Sequence, residues 1–192
     1  LIDGIEKVTG KAEYTADFIH QNAYVGRLFR SPYAHAEIIH VDVSKARALP
    51  GVIAVITGED CDKPFGIIPI AQNEFPLSRD KVRYCGEPVA AIAAIDVATA
   101  EKALKLIDFK VNELPGYFTA DDARAEDAVQ LHENKPGNLE REVHSEFGDV
   151  DEGFETADII REETFDCAEV THVHMEPHAS LAEYDVERDR VT

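Results

Sequence analysis

Three imidazoles and a carboxylate crowd into His172-Val-His-Met-Glu-Pro-His178. These are the donor types that hold zinc and other borderline transition metals. On an extended strand His172, His174 and Glu176 would point to one face, with His178 beyond the interruption at Pro177. The spacing permits a metal without demanding one. H-x-H is a short signature, and Val173 and Met175 between the donors suit a partly buried strand, so no residue here is assigned as a metal ligand.

The other reactive side chains are dispersed. Cys61, Cys85 and Cys167 are odd in number and contain no C-x-x-C pair, so neither a zinc site nor an iron–sulfur cluster is expected in this chain, and a reducing compartment fits. Cys85 stands beside Arg83, a cation of the kind that activates thiols. Free cysteine is nevertheless among the most buried residue types, and Cys85 is expected to be buried and inert. The acidic pairs Asp121-Asp122, Asp149 with Asp151, and Glu162-Glu163 read as helix caps and solvated faces rather than general acids and bases. There is no G-x-S-x-G elbow and no glycine-rich phosphate loop, so the residues suggest neither a serine nucleophile nor a nucleotide site. No catalytic, cofactor-binding or metal-binding residue is assigned.

The elements that would carry these residues centre on Val89–Ile95, seven consecutive apolar residues after a Gly86-Glu87-Pro88 corner. This reads as a core strand, with Ala91 and Ala93 on one face and Ala90 and Ala94 on the other, both closely approached by other elements. Asp96 then caps a helix with Val97, Ala100, Leu104 and Ile107 on its apolar side. Upstream, strands are expected at 24–30, 36–43 and 52–57, with Ser44 capping a short helix over Lys45–Leu49. Ile107, Phe109 and Val111 alternate into a further strand.

Residues 58–80 contain three prolines and no clean period, so they form a long surface or interface excursion carrying Phe65, Ile67, Ile68, Ile70 and Phe75. The polar, Ala- and acid-rich stretch 119–139, ending in Pro136-Gly137-Asn138, reads as a linker. Beyond it, strands are expected at Glu140–Phe147, Ile159–Val170 and Ala179–Tyr184, with Asp149 and Glu152 starting a helix. Strands interleaved with few, short helices indicate an α+β fold rather than a doubly wound sheet.

Formal net charge is −19, from 38 acidic and 19 basic residues, which repels nucleic-acid phosphates and anionic lipid. No apolar run approaches the roughly 20 residues that span a bilayer, and no signal-type segment is visible, so a cytoplasmic protein is expected. The absence of an initiator Met suggests a piece of a longer protein.

Several segments together resemble one family: Leu1–Asp17, Arg30-Ser-Pro-Tyr-Ala-His-Ala36, Val82–Ile95 and His172–Asp185. The chain is similar to the N-terminal part of the molybdenum-binding subunit of the xanthine dehydrogenase and aldehyde oxidase superfamily. Within it, Pro64–Asp80 and Arg141–Asp149 resemble the alpha subunit of 4-hydroxybenzoyl-CoA reductase. Cys85 and Glu87 depart from the polar residues expected at their positions, which leaves the substrate open.

The resemblance implies an α/β-hammerhead domain over residues 1–118, a linker at 119–139, and the first strands and helix of the molybdopterin-binding region at 140–192. It also implies a molybdopterin dinucleotide with molybdenum in the full-length subunit, held by loops downstream of this chain, with iron–sulfur clusters and FAD on partner subunits. The fragment alone is expected to hold no cofactor and to be inactive. An oxidative hydroxylase of purines or aldehydes and a non-catalytic subunit-interaction module are the alternatives. An exposed edge strand in the C-terminal piece is expected to allow pairing with a second copy.

Overall fold

The computed structural model describes residues 2–18, 20–68, 72–174 and 176–192; Ile70 and Met175 lie outside them. The elements in chain order are α1 (Gly4–Val8), β1 (Val25–Arg30), β2 (Ala36–Asp42), α2 (Ser44–Arg47), β3 (Val52–Thr57), β4 (Lys81–Val82), β5 (Pro88–Ala94), α3 (Val97–Leu104), β6 (Asp108–Glu113), α4 (Ala120–Ala123), α5 (Val150–Thr156), β7 (Tyr184–Asp185) and β8 (Arg190–Val191). The fold is α+β. Contacts divide it into two units: Tyr24–His144, and Leu1–Ala23 together with Ser145–Thr192.

In the first unit β5 is the middle strand of an antiparallel sheet ordered β1-β5-β3, so its backbone is paired on both edges. Its Ala90, Ile92 and Ala94 side chains are buried against Ala46 of α2 and Ala100 and Ala103 of α3, joined by Val43 and Val55. Alanine facing alanine lets the helices approach the sheet closely, which maximises dispersion contact. The Asp96 side chain accepts a hydrogen bond from the Thr99 N–H at 2.7 Å and caps α3 as expected.

Only one face of β5 is covered this way. Leu28 and Ile56, the residues that pair with Ala91 across the sheet, are 41% and 42% exposed, and Ala91 and Ala93 are only partly buried. The expectation of close approach on both faces is therefore corrected. The reason is that α2 and α3 both pack on the same side.

A second antiparallel sheet, β4-β2-β6, joins the first through an edge-to-face contact of Phe29 and Phe109, with ring centroids 5.5 Å apart. The expected cap at Ser44 is also corrected. Ser44 is the first helical residue, and the Asp42 carboxylate accepts its N–H at 2.8 Å.

In the second unit Asp149 caps α5 by accepting from Glu152 N at 3.0 Å. Of the three strands expected at 140–147, 159–170 and 179–184, only the end of the third is formed. Among the described residues of 140–182 no strand pairs, and the only ladder among the described residues beyond them is the β7-β8 hairpin, extended by the Glu183–Thr192 pair. A strand exists only when a neighbour takes its N–H and C=O groups, and alternation in sequence cannot supply one. Val143, Phe147, Phe165 and Val170 are correspondingly exposed.

The close alanine packing gives a directional expectation. Ala100→Leu, at a residue with no exposure, should overpack the α3–β5 contact and cost about 1–3 kcal/mol. Ala93→Leu, on the open face, should stay within about 0.5 kcal/mol. Urea midpoints of the two variants check this, and equal losses would contradict the one-sided packing.

Candidate functional site

The turn Arg83–Glu87, between β4 and β5, is the floor of a cleft of about 260 Å³. The Glu87 carboxylate accepts from the Arg83 N–H and the Glu87 N–H donates to Tyr84 O, so the turn closes on itself. Gly86 takes φ +93° there, a conformation that glycine adopts without strain. Its N–H donates to Ser31 O at 2.8 Å, and Arg30 Nη1 donates to Gly86 O at 2.7 Å, pinning the floor to the end of β1.

One wall is the return of the 58–80 excursion. Phe65 and Glu74 pair their backbones, the Ser78 N–H donates to Pro88 O at 2.8 Å, and Asp80 O accepts from Ile38 N at 2.8 Å. Gly58 allows this course, since a Cβ there would lie 2.3 Å from Ser78 O.

The other wall comes from the 119–139 stretch, whose composition suggested a linker. It is strapped to β4 by Lys81 Nζ donating to Gln130 O at 3.2 Å and Arg83 Nε donating to Leu131 O at 3.1 Å. Tyr117 Oη accepts from Val129 N at 2.7 Å. Asn138, at φ 54°, accepts from Leu131 N and donates to the carbonyls of Ala123 and Val129.

Electrostatics in the cleft are mixed. Burial, and then the Arg83 charge, push the His132 pKa below its ordinary value, with Lys135 and Lys81 adding to this and Glu140 opposing. Its Nδ1 lies 3.5 Å from Asn73 Nδ2. Burial, followed by Glu87 and Glu74, raises the Tyr84 hydroxyl, which stays neutral at physiological pH. The Arg79 guanidinium sits 5.6 Å from the centre of the Phe75 ring. The lining is thus polar, charged and aromatic, and among the described residues no nucleophile-and-base pair is assembled in the cleft.

The residues singled out by sequence go elsewhere. Val173 takes φ 46°, which breaks the alternation that would have put His172, His174 and Glu176 on one face. Glu176 instead accepts from the N–H and hydroxyl of Thr15, both at 3.1 Å, and His174 stacks edge-on to His178 with centroids 4.7 Å apart. Among the described residues no group of three or more His, Cys, Asp or Glu converges on a metal position.

Cys85 is exposed rather than buried, because the turn that carries it projects it outward; its thiol donates to Pro32 O at 3.5 Å. Asp122 and Asp149 cap or brace α4 and α5, and Glu163 pairs with Arg161. His35, unremarked within its motif, is buried and braces β2 to the chain after β6, its Nδ1 2.8 Å from Pro115 O. Pro115 O can only accept, so Nδ1 carries the proton. The cleft itself was missed, since Asn73, Arg79 and His132 share no spacing. A Gly-Glu-Pro corner with a glutamate placed to close it was the available signal.

Asn138→Ala should free the strap and cost about 1–3 kcal/mol, while Asn138→Asp, which keeps one acceptor and the tolerance for φ > 0, should lose less. Urea unfolding followed with a probe on the strap measures both. The His132 shift gives a pH signature. The unfolded imidazole binds its proton near the ordinary 6.5 and the folded one only at lower pH. This contribution is therefore intact above that value, and stability falls as pH drops through it towards the folded pKa. In His132→Gln that part of the acid-side decline should vanish, read as the difference between the two pH profiles of the urea midpoint.

Comparison with known proteins agrees with this architecture. Residues 9–115 match the family described as aldehyde oxidase and xanthine dehydrogenase, a/b hammerhead domain, and residues 131–192 match the molybdopterin cofactor-binding domain. The chain is 38% identical over 191 residues to the nicotinate dehydrogenase large molybdopterin subunit of Eubacterium barkeri, covering 97% of the chain and 43% of that protein. It is 36% identical to the xanthine dehydrogenase molybdenum-binding subunit of Escherichia coli, covering 94% of the chain and 25% of that protein. The aldehyde oxidoreductase from Desulfovibrio gigas superposes with a TM-score of 0.61 at 28% identity, over 70% of this chain and 16% of that one. The chain thus spans less than half the length of these relatives. With its hammerhead segment preceding the start of a cofactor-binding segment, the chain belongs to the aldehyde oxidase and xanthine dehydrogenase family of molybdopterin-binding subunits.

Proposed function

We propose that this chain is the N-terminal, scaffolding part of a molybdenum hydroxylase subunit that oxidises a small N-heterocycle in the cytoplasm, passing electrons to iron–sulfur and FAD subunits. The observation that supports this most strongly is the order of the two matched segments, 9–115 and 131–192. The relatives described above are named for nicotinate and xanthine, which favours heterocycle hydroxylation over the reductive dehydroxylation of 4-hydroxybenzoyl-CoA suggested by the loop residues 64–80 and 141–149. The domain division is part of the proposal: hammerhead over 1–118, a connecting strap at 119–139, and the opening of the cofactor-binding domain at 140–192.

Residues 131–192 do not by themselves fit a pterin. The buried polar atoms without a partner among the described residues, His35 Nε2 and Ser78 Oγ, both lie outside this segment. No chemical step is therefore routed through this chain. Its role in the reading is to position strands and a strap that the rest of the subunit completes.

Expression of the longer parent polypeptide with its partner subunits tests the reading. Molybdenum should copurify, and nicotinate or xanthine should be hydroxylated with electrons delivered to the flavin. Turnover of 4-hydroxybenzoyl-CoA alone would restore the reductive assignment. A metal-free complex inactive on all three substrates would overturn the redox reading.

A further inference from the structure

The cleft above the Arg83–Glu87 turn has an inventory that selects a ligand class. Arg79 is stacked on Phe75 and, among the described residues, its guanidinium makes no hydrogen bond or ion pair, so a flat set of N–H donors is left free. Ser78 lines the same cleft, and its buried Oγ lacks a partner among the described residues, an unmet hydrogen bond in the wall. Glu74 and Asp80 supply carboxylates without an ion pair among the described residues, whereas Glu140 is held by Lys135 at 2.7 Å and Glu87 by the Arg83 N–H. Arg83 is spent on the carbonyls of Leu131 and Lys81.

Charge rules out two classes. A small anion would enter among four carboxylates on a chain of net charge −19, and a small cation would meet Arg79 and Arg83. An uncharged molecule that both donates and accepts satisfies the free groups: its carbonyl takes Arg79 N–H donors while its N–H serves a carboxylate. Phe75 and Tyr84 add aromatic surface for a flat ring, and about 260 Å³ admits one or two fused rings. We propose that this cleft binds a small, planar, uncharged lactam, a ring carrying adjacent N–H and C=O groups. The proposal does not rest on the redox reading, because binding here needs neither cofactor nor partner subunit.

The test is an NMR titration of the isotopically labelled chain with 2-pyridone. Saturable shifts should concentrate in residues 73–87 and 132–140, and Arg79→Ala should weaken binding about tenfold or more. The urea midpoint should move only slightly in that variant, since Arg79 is exposed and what it loses among the described residues is the contact with the Phe75 ring. 1-Methyl-2-pyridone, which lacks the N–H, should bind at least about tenfold more weakly. Benzoate or benzamidine binding as tightly as 2-pyridone would overturn the ligand class. Equal binding of the methylated ring would overturn the lactam assignment, and unsaturable or absent shifts would overturn the site.

Discussion

The close approach of two helices to one strand is the constraint on which the first unit depends. Ala90 and Ala94 on β5 face Ala46, Ala100 and Ala103, and all five are fully buried. Larger side chains at any of these positions would push α2 or α3 away from the sheet and loosen the contacts that Val43, Val55 and Ile92 make in the same layer. Once β5 is fixed, the elements that follow are confined: α3 begins at the Asp96 cap, and β6 returns to pair with β2.

The cleft is a consequence of how β5 begins rather than of how it packs. Pro88 lacks an N–H, and its carbonyl accepts from Ser78, so the strand's first residue anchors the returning excursion. The turn before it is closed by the Glu87 side chain, which leaves Arg83 free to reach the strap through Leu131 O. Two segments with little regular structure are thereby held beside the turn, the excursion by backbone hydrogen bonds and the strap by the Lys81 and Arg83 side chains. Such an arrangement places polar groups accurately without secondary structure of its own.

The second unit shows the opposite situation. Val150 and Phe154 of α5, with Phe147, Ile159, Phe165 and Val170, have little to pack against, and they are exposed. Apolar surface of this extent is what one expects where elements belong to a larger sheet and helix layer, in line with relatives of which this chain covers less than half. The N-terminal residues contribute here through Thr15, whose N–H and hydroxyl both engage Glu176.

What the sequence determined by itself is the local grammar of the first unit. The apolar run at Val89–Ile95, the Asp96 cap and the alternation at Phe109 and Val111 each depend on near neighbours in the chain, and each element formed where those signals stand. The α+β class and the family resemblance were legible for the same reason. Only tertiary structure decided which face of β5 is covered, because alanines on both faces are equally compatible with a helix. It also decided that Asn138 and Arg83 turn a linker-like stretch into a strap, that Cys85 is exposed, and that a left-handed Val173 separates the histidines. The strands expected at 140–147 and 159–170 failed on the same physical ground, and the one expected at 179–184 formed only where the chain returns beside it: alternation specifies which face is apolar, but a strand is completed only by the hydrogen bonds of a neighbour.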